Sequence, residues 1–432
     1  MKLKFAFARK VAVGLIAVGS LACLATDTFA ANRTWTSSSI SASSYRQKWG
    51  TAFTSNWAGN TVPTTADVAT FGTNAFNQYG VQVQAGTQVG GVRFNNTGTN
   101  SYVISASTLG LGAQGINNQS GRQQTFGAAL SLLANQTWSG GSGARIVTNN
   151  VELNGTQLTT STDIVINTLQ NTPSTLSTVT VAGGNLDVVG GGPNEYINFA
   201  VTSGNLTTSD PGQGAGFDSS ASNLAVSGSG TFNNSKVGGP VGDTNWNLVT
   251  MSGGTIDLQG AGANLITNGY TQTGGMIKQY VGYDAGGGGA FSSAVQATNG
   301  AGAATGPLSY DGTLDIDFSG AGSNSFAFGT TWSLFQGVNA GGAAASNFST
   351  ALLDNVDPSS PYYGLSFTRY GTEWFTGPAT DGTWLVFQAQ TGNLVVVPEP
   401  STIVFAGLGV AMSGWTMWKK RRLSKLLAAK VG

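Results

Sequence analysis

Histidine is absent from the sequence and cysteine occurs once. Charge is also scarce: Asp, Glu, Lys and Arg together make up 9% of the 432 residues, against about 25% in an average globular protein. Each shortage excludes a class of chemistry. Without histidine there is no Ser-His-Asp triad, no imidazole base at neutral pH and no histidine-ligated zinc. With one cysteine there is no internal disulfide, thiolate metal cage or redox pair. What is abundant is glycine, at 64 positions, together with 10% aromatic residues. That apolar content argues against a disordered polar chain. The length fits two or three domains, or one long solenoid.

The formal net charge of zero hides an uneven layout. Lys2, Lys4, Arg9 and Lys10 open the chain, and Lys419, Lys420, Arg421, Arg422, Lys425 and Lys430 close it. Between residues 32 and 397 stand nine basic and seventeen acidic residues, a net of −8. Basic ends beside apolar runs have the form of membrane-targeting segments. At the N-terminus, Met1 to Lys10 is followed by an apolar run from Val11 to Ala25 and by Thr28-Phe29-Ala30. This order predicts a secretory signal peptide over 1–30, cut after Ala30. The lone Cys23 falls inside it, with Ser20 where a lipoprotein signal wants an aliphatic residue, so Cys23 reads as a small apolar residue of the signal core. The mature chain would then hold no cysteine.

At the C-terminus, Val397-Pro398-Glu399-Pro400-Ser401 precedes an apolar run from Thr402 to Trp418, and Lys419-Lys420-Arg421-Arg422 follows. The run is 17 residues long, or about 25 Å as a helix, the short limit for a single transmembrane helix. The cationic cluster would stay cytoplasmic and the body outside. Two prolines keep helix or strand from running through the junction. The tripartite order resembles the PEP-CTERM sorting signal of exported bacterial proteins, carried here by Pro398, Glu399 and Pro400 and spanning 397–425. The resemblance implies recognition by the membrane enzyme exosortase. The other reading is a plain membrane anchor with a chance Pro-Glu-Pro.

The body between Asn32 and Val397 shows no sustained helical periodicity. Short alternating stretches such as Val81-Gln82-Val83, Tyr102-Val103-Ile104, Ile164-Val165-Ile166 and Val179-Thr180-Val181 lie between Gly, Asn and Ser clusters, which predicts strands. A Gly-x-apolar pattern recurs at Gly184-Asn185-Leu186, Gly204-Asn205-Leu206, Gly230-Thr231-Phe232, Gly254-Thr255-Ile256 and Gly275-Met276-Ile277, at spacings of 20, 26, 24 and 21 residues. Such a repeat fits one coil of a parallel β-solenoid, in which stacked Asn and Thr satisfy one another. A β-sandwich array competes. The stretch 32–110, with Trp35, Asn56-Trp57, Pro63, Asp67 and Phe71, resembles the opening of autotransporter-passenger-like β-strand proteins of bacterial surfaces. There Trp35, Trp49, Trp57 and Phe71 would cover the open end of the solenoid, or else form a carbohydrate-stacking platform.

The expected architecture is all-β: a parallel β-helix with a small antiparallel unit and one C-terminal transmembrane helix. The segments are the signal peptide (1–30), an N-terminal cap with the first strands (31–110), solenoid repeats (111–283), a Gly/Ala-rich junction (284–306), a C-terminal antiparallel unit (307–396) and the sorting signal (397–425). No residue is singled out as catalytic, cofactor-binding or metal-ligating. Asp315 and Asp317 share one strand face, a pattern open to a glycosidase pair, a Ca²⁺ site with Asp311, or simply the polar face of an amphipathic strand. Arg145 and Lys278 read as isolated. Gly286 to Gly289 lacks the Lys-Ser/Thr of a phosphate loop and reads as a linker. The acidic body would repel nucleic acid. The expected function is a non-enzymatic, exported structural protein of the cell surface or extracellular matrix. Its partners would be the Sec translocon, signal peptidase, exosortase, the membrane before processing and, as a further candidate, exopolysaccharide. The alternative is a polysaccharide-binding or polysaccharide-degrading β-helix protein. Charged side chains aligned along one groove would favour the second, and a smooth Ser/Thr/Asn face the first.

Overall fold

A computed structural model describes residues 31–35, 46–50, 54–73, 79–97, 101–172, 175–191, 196–208, 218–235, 244–260, 263–284, 289–298, 306–324, 326–339 and 347–399. The expected signal peptide with Ala30, the apolar run after Pro400 and the tail Lys419, Lys420, Arg421 and Arg422 lie outside the described residues. Among the described residues no helix is long and apolar enough to cross a membrane.

The chain is all-β, and its larger part is a parallel β-solenoid in one 27-stranded sheet. Each coil adds strands in parallel register to the coil before it, so residues stack into columns about 4.8 Å apart. One inward column runs Ala69, Val92, Ile116, Trp138, Thr160, Val181, Val201, Val226, Met251 and Gln272. A facing ladder contributes Ile146, Ile164, Leu186, Leu206, Phe232, Ile256, Ile277 and Leu314. Every member of both columns is buried. A coil on its own would leave these side chains exposed on both edges, and each large one gains roughly 1.5–3 kcal/mol when neighbouring coils bury it.

The recurring glycine sits where the backbone turns into the second ladder. Gly204 has φ +77° and a Cβ there would collide with the carbonyl oxygen of Gly184 one coil below. Gly254 has φ +70° and meets the Gly230 carbonyl oxygen in the same way. The glycine therefore answers two demands at once, a left-handed turn and close approach of stacked backbones. Polar columns are satisfied between coils. Asn223 donates to Asn198 (2.8 Å), Asn247 to Asn223 (3.0 Å) and Asn268 to Asn247 (3.3 Å), forming an amide ladder up the outside.

At the N-terminal end, strands Asn32–Thr34 and Arg46–Trp49 pair in parallel with Val68–Phe71 and Tyr79–Val83. Trp35, Trp49, Trp57 and Phe71 turn into the interior in a mutual aromatic cluster, with ring centroids 4.8 to 5.8 Å apart. The three tryptophans are 6%, 0% and 1% exposed. A sugar-stacking platform needs an open ring face, so that alternative is overturned for these residues.

The parallel ladder also runs past the expected boundary at 283. Gly289–Ser292 folds back antiparallel on Met276–Asp284, while Ala294–Ala297 and Pro307–Ser309 pair in parallel with Asn264–Gln272. Thr313–Gly320 and Thr350–Asp354 add further parallel rungs. The described part of the segment read as a Gly/Ala junction is thus coil structure. A rung needs only one or two buried residues, and here Val295 and Ala297 supply them. The antiparallel unit is a 5-stranded sheet of Thr331–Ser333, Asn393–Pro398, Thr383–Gln388, Glu373–Phe375 and Thr368–Tyr370, in that order. It packs on the last coils through Tyr310, Phe335, Phe348 and Phe387.

Replacing Gly204 by alanine should destabilise the protein by more than the same change at Gly364. Both have positive φ, but a Cβ at Gly364 meets nothing within 4 Å. The left-handed strain of about 1–2 kcal/mol is common to both. Denaturant midpoints separate the steric term, and equal losses at the two sites would refute the role of coil-to-coil contact.

Candidate functional site

The residue after the apolar member of each repeat points outward, and register joins these residues into one column. It runs Asp187, Thr207, Asn233, Asp257, Lys278 and Asp315 on successive coils. Beside it lies a second column of Arg145, Asp163, Asn185, Asn205, Thr231 and Thr255, in which Asn185 donates to Asp163 Oδ1 through its backbone and side-chain amides. Charged side chains gather at two heights on this face, with Thr and Asn between them. The first group is Arg145, Asp163 and Asp187 around a recess of about 210 Å³. The second is larger and surrounds Lys278.

Lys278 Nζ lies 3.2 Å from Asp317 Oδ2, 3.2 Å from Asp354 Oδ2 and 4.0 Å from Asp315 Oδ2. Asp315 is the direct neighbour of Lys278 in the ladder, and Asp317 pairs with Tyr280 below and Asp354 above. Asp257 stands one coil below Lys278. The side chains of Asp257, Gln259, Lys278, Tyr280, Asp317 and Ser319 line a cleft of about 340 Å³. Glycine makes room for its aromatic wall: a Cβ at Gly320 would collide with the Tyr280 ring.

The environment splits the carboxylates. Burial pushes Asp315 up to about 6, with Lys278 opposing and Asp354, Asp317 and Asp257 adding to the rise. Its Oδ1 is buried and has no hydrogen-bond partner among the described residues. Asp317 moves the other way. Burial raises it, but hydrogen bonds from Ser319, Asn355 and Lys278 outweigh that and hold it below the usual carboxylate value. Burial also raises Asp257 and Asp187, against hydrogen bonds from Gln259 and Thr207 respectively.

Asp315 and Asp317 do share an outward face, as the alternation predicts. They are not a solvated polar face, however: their side chains are 8% and 14% exposed. Lys278 and Arg145 are not isolated, because stacking brings each against aspartates distant in sequence. Asp311 stands apart from the cluster and accepts from the Gly312 amide. No group of acidic side chains among the described residues is arranged to hold a metal ion. A protonatable Asp315 beside an ionised Asp317 has the split character of an acid–base pair. But Asp315 lies behind Lys278 and does not line the cleft, so the arrangement favours binding over proton transfer to a ligand. Asp257, Gln259, Tyr280 and Asp354 escaped the reading of the sequence. Aligning the repeats on their glycine would have found Asp257 and joined it to Lys278. Extending the series to Gly312-Thr313-Leu314 would have added Asp315.

Of the expected sorting motif, Pro398 and Glu399 are described. Pro398 pairs with Thr383 at the end of the last strand, and the Glu399 amide donates to Gly382 O (3.1 Å). Pro400 lies outside the described residues. Compared with known proteins, the chain matches no protein-family model, no curated protein and no solved structure.

The raised Asp315 has a testable sign. Its folded value, about 6, exceeds the ordinary 3.8, so the folded state binds the extra proton between those values. The stabilisation is complete below about pH 4 and is lost as pH rises through about 6. Asp315→Asn should therefore melt higher than the parent at pH 7.5 or so, with the difference fading towards about pH 4. Thermal melts across this range check it, and a variant less stable at neutral pH would contradict it.

Proposed function

We infer that this chain is an exported, non-enzymatic β-solenoid protein of the cell surface or extracellular matrix, sorted by exosortase through its C-terminal signal. The observation that carries the reading is where the body stops relative to the motif. The last strand among the described residues, Asn393–Pro398, is the second strand of the antiparallel sheet, and the Glu399 amide bonds to Gly382 O beyond it. Pro-Glu-Pro begins as that sheet ends, so cleavage after it would remove no strand of the described fold. Export through the Sec translocon with signal peptidase acting at Ala30, and release from the membrane after processing, complete the proposal. Amide and hydroxyl ladders along the coils suit a structural polymer that needs neither disulfides nor metal.

The test is the intact mass of the protein recovered from the envelope and from the medium of its native cells. Loss of the residues beyond Pro398-Glu399-Pro400 is expected. A full-length tail retained in the inner membrane would make the segment a plain anchor and overturn the sorting reading.

A further inference from the structure

The C-terminal antiparallel sheet has two faces of different character. Leu385, Phe387, Leu394 and Val396 point into the core. Alternation sends their neighbours the other way, and the ladders set these out in rows across the strands. Beside Pro398 stand Val397 and Trp384, which are direct partners. The next row holds Val395, Val386 and Phe375. The row at the far end of the strands holds Asn393, Gln388 and Glu373. The outward face is therefore apolar near Pro398 and polar away from it. Val386 is buried in the middle row yet is not part of the core. Val395, Val397, Phe375 and Trp384 are half-buried. Tyr370, whose ring lies 5.9 Å from that of Phe375, is 65% exposed.

The apolar rows lie at the end where the chain leaves the sheet. The apolar run begins at Thr402, three residues past Glu399, a reach of at most about 11 Å. A bilayer entered by that run is therefore within reach of Val397 and Trp384, and Trp and Tyr are the side chains suited to headgroup depth. Other occupants fit less well. The Phe375 ring stands at 75° to that of Tyr370 and at 79° to that of Trp384, so neighbouring rings offer no common plane for a sugar chain. The two apolar rows cover on the order of 300 Å² of sheet, against about 800 Å² per partner in a stable dimer. We propose that this outward face rests on the bilayer surface while the C-terminal run is in the membrane, with Val397, Trp384 and Phe375 at the headgroup boundary and the Glu373 row towards water. The contact holds Pro398-Glu399-Pro400 at the membrane surface, where a membrane enzyme works. The proposal rests on the reading of 402–418 as a transmembrane segment and adds a membrane-contact surface on the folded body itself.

Quenching by lipid tests it on the full-length chain reconstituted into phosphatidylcholine–phosphatidylglycerol vesicles with bromine near the top of the acyl chains. Cys23→Ser removes the lone thiol, and Thr368→Cys or Thr137→Cys then supplies one site for a fluorophore. Thr368 is exposed and pairs with Phe375 in the second row. Thr137 is exposed on a solenoid column, seven rungs from Ser309. Flotation reports whether the chain enters the vesicles. The label at 368 should be quenched at least about threefold more than the label at 137. Val397→Asp should bring it down towards the level at 137, and the comparison of the two labels in the parent stays decisive if that variant does not fold. A floating chain with equal quenching at both positions overturns the proposal and leaves the anchor standing. Parent-like quenching in a folded Val397→Asp also overturns it, as does excimer emission from a pyrene at 368, which would assign the face to a second copy. A chain that does not float overturns the anchor reading and this proposal with it. Cleavage is not involved and is decided separately by the intact mass.

Discussion

In a parallel ladder each residue lies directly above its counterpart, about 4.8 Å away, and this one distance governs the rest of the molecule. Inward, it rewards a column of like side chains. Leu186 on Leu206 and Ile256 on Ile277 fill a coil-sized space and are buried only because the next coil is there. At the turns, the same distance leaves no space for a Cβ between Gly204 and the Gly184 carbonyl oxygen or between Gly254 and that of Gly230. At these turns glycine recurs because the spacing is repeated; at others, such as Gly364, a positive φ alone calls for it.

Outward, the spacing acts against charge. Two like charges one coil apart repel by about 3 kcal/mol at an effective dielectric of about 20. Amide and hydroxyl columns carry no such penalty and can bond upward, as Asn198, Asn223, Asn247 and Asn268 do. The low charge of 9% agrees with the architecture. Where charge does enter a column, its sign alternates: Asp257, Lys278 and Asp315 on successive coils, Arg145 and Asp163 on another pair. Asp317 and Asp354 break the alternation, being neighbours of the same sign. Both lean on Lys278 for compensation, which is why this place stands out from the neutral face around it.

Column stacking also decides how much is legible in the sequence. Gly-x-apolar repeats announce parallel coils because turn and core residue recur together. The site is harder to read, since its members are separated by tens of residues and join only through register. Asp315 and Asp317 are visible as a pair because alternation is local. Their partner Lys278 is not, because the interval from Gly275 to Gly312 holds the extra strands Gly289–Ser292, Ala294–Ala297 and Pro307–Ser309 and breaks the regular spacing. The fold-back of Gly289–Ser292 is close because Gly282, just before the segment that reads as a linker, carries no Cβ: one there would collide with the Phe291 ring.

A stacked fold must also end, because its last rung offers unpaired backbone groups. At the C-terminal end the chain changes from parallel to antiparallel pairing, in a sheet whose aromatic residues pack on the final coils. Pro398, the last residue of the strand Asn393–Pro398, has no N–H to offer a further strand, and the Glu399 amide bonds to Gly382 O beyond it. In the proposed reading the same proline opens the sorting motif. On that reading the residue that closes the strand Asn393–Pro398 also begins the segment meant for an enzyme, and cleavage beyond the motif would take no strand of the described residues with it.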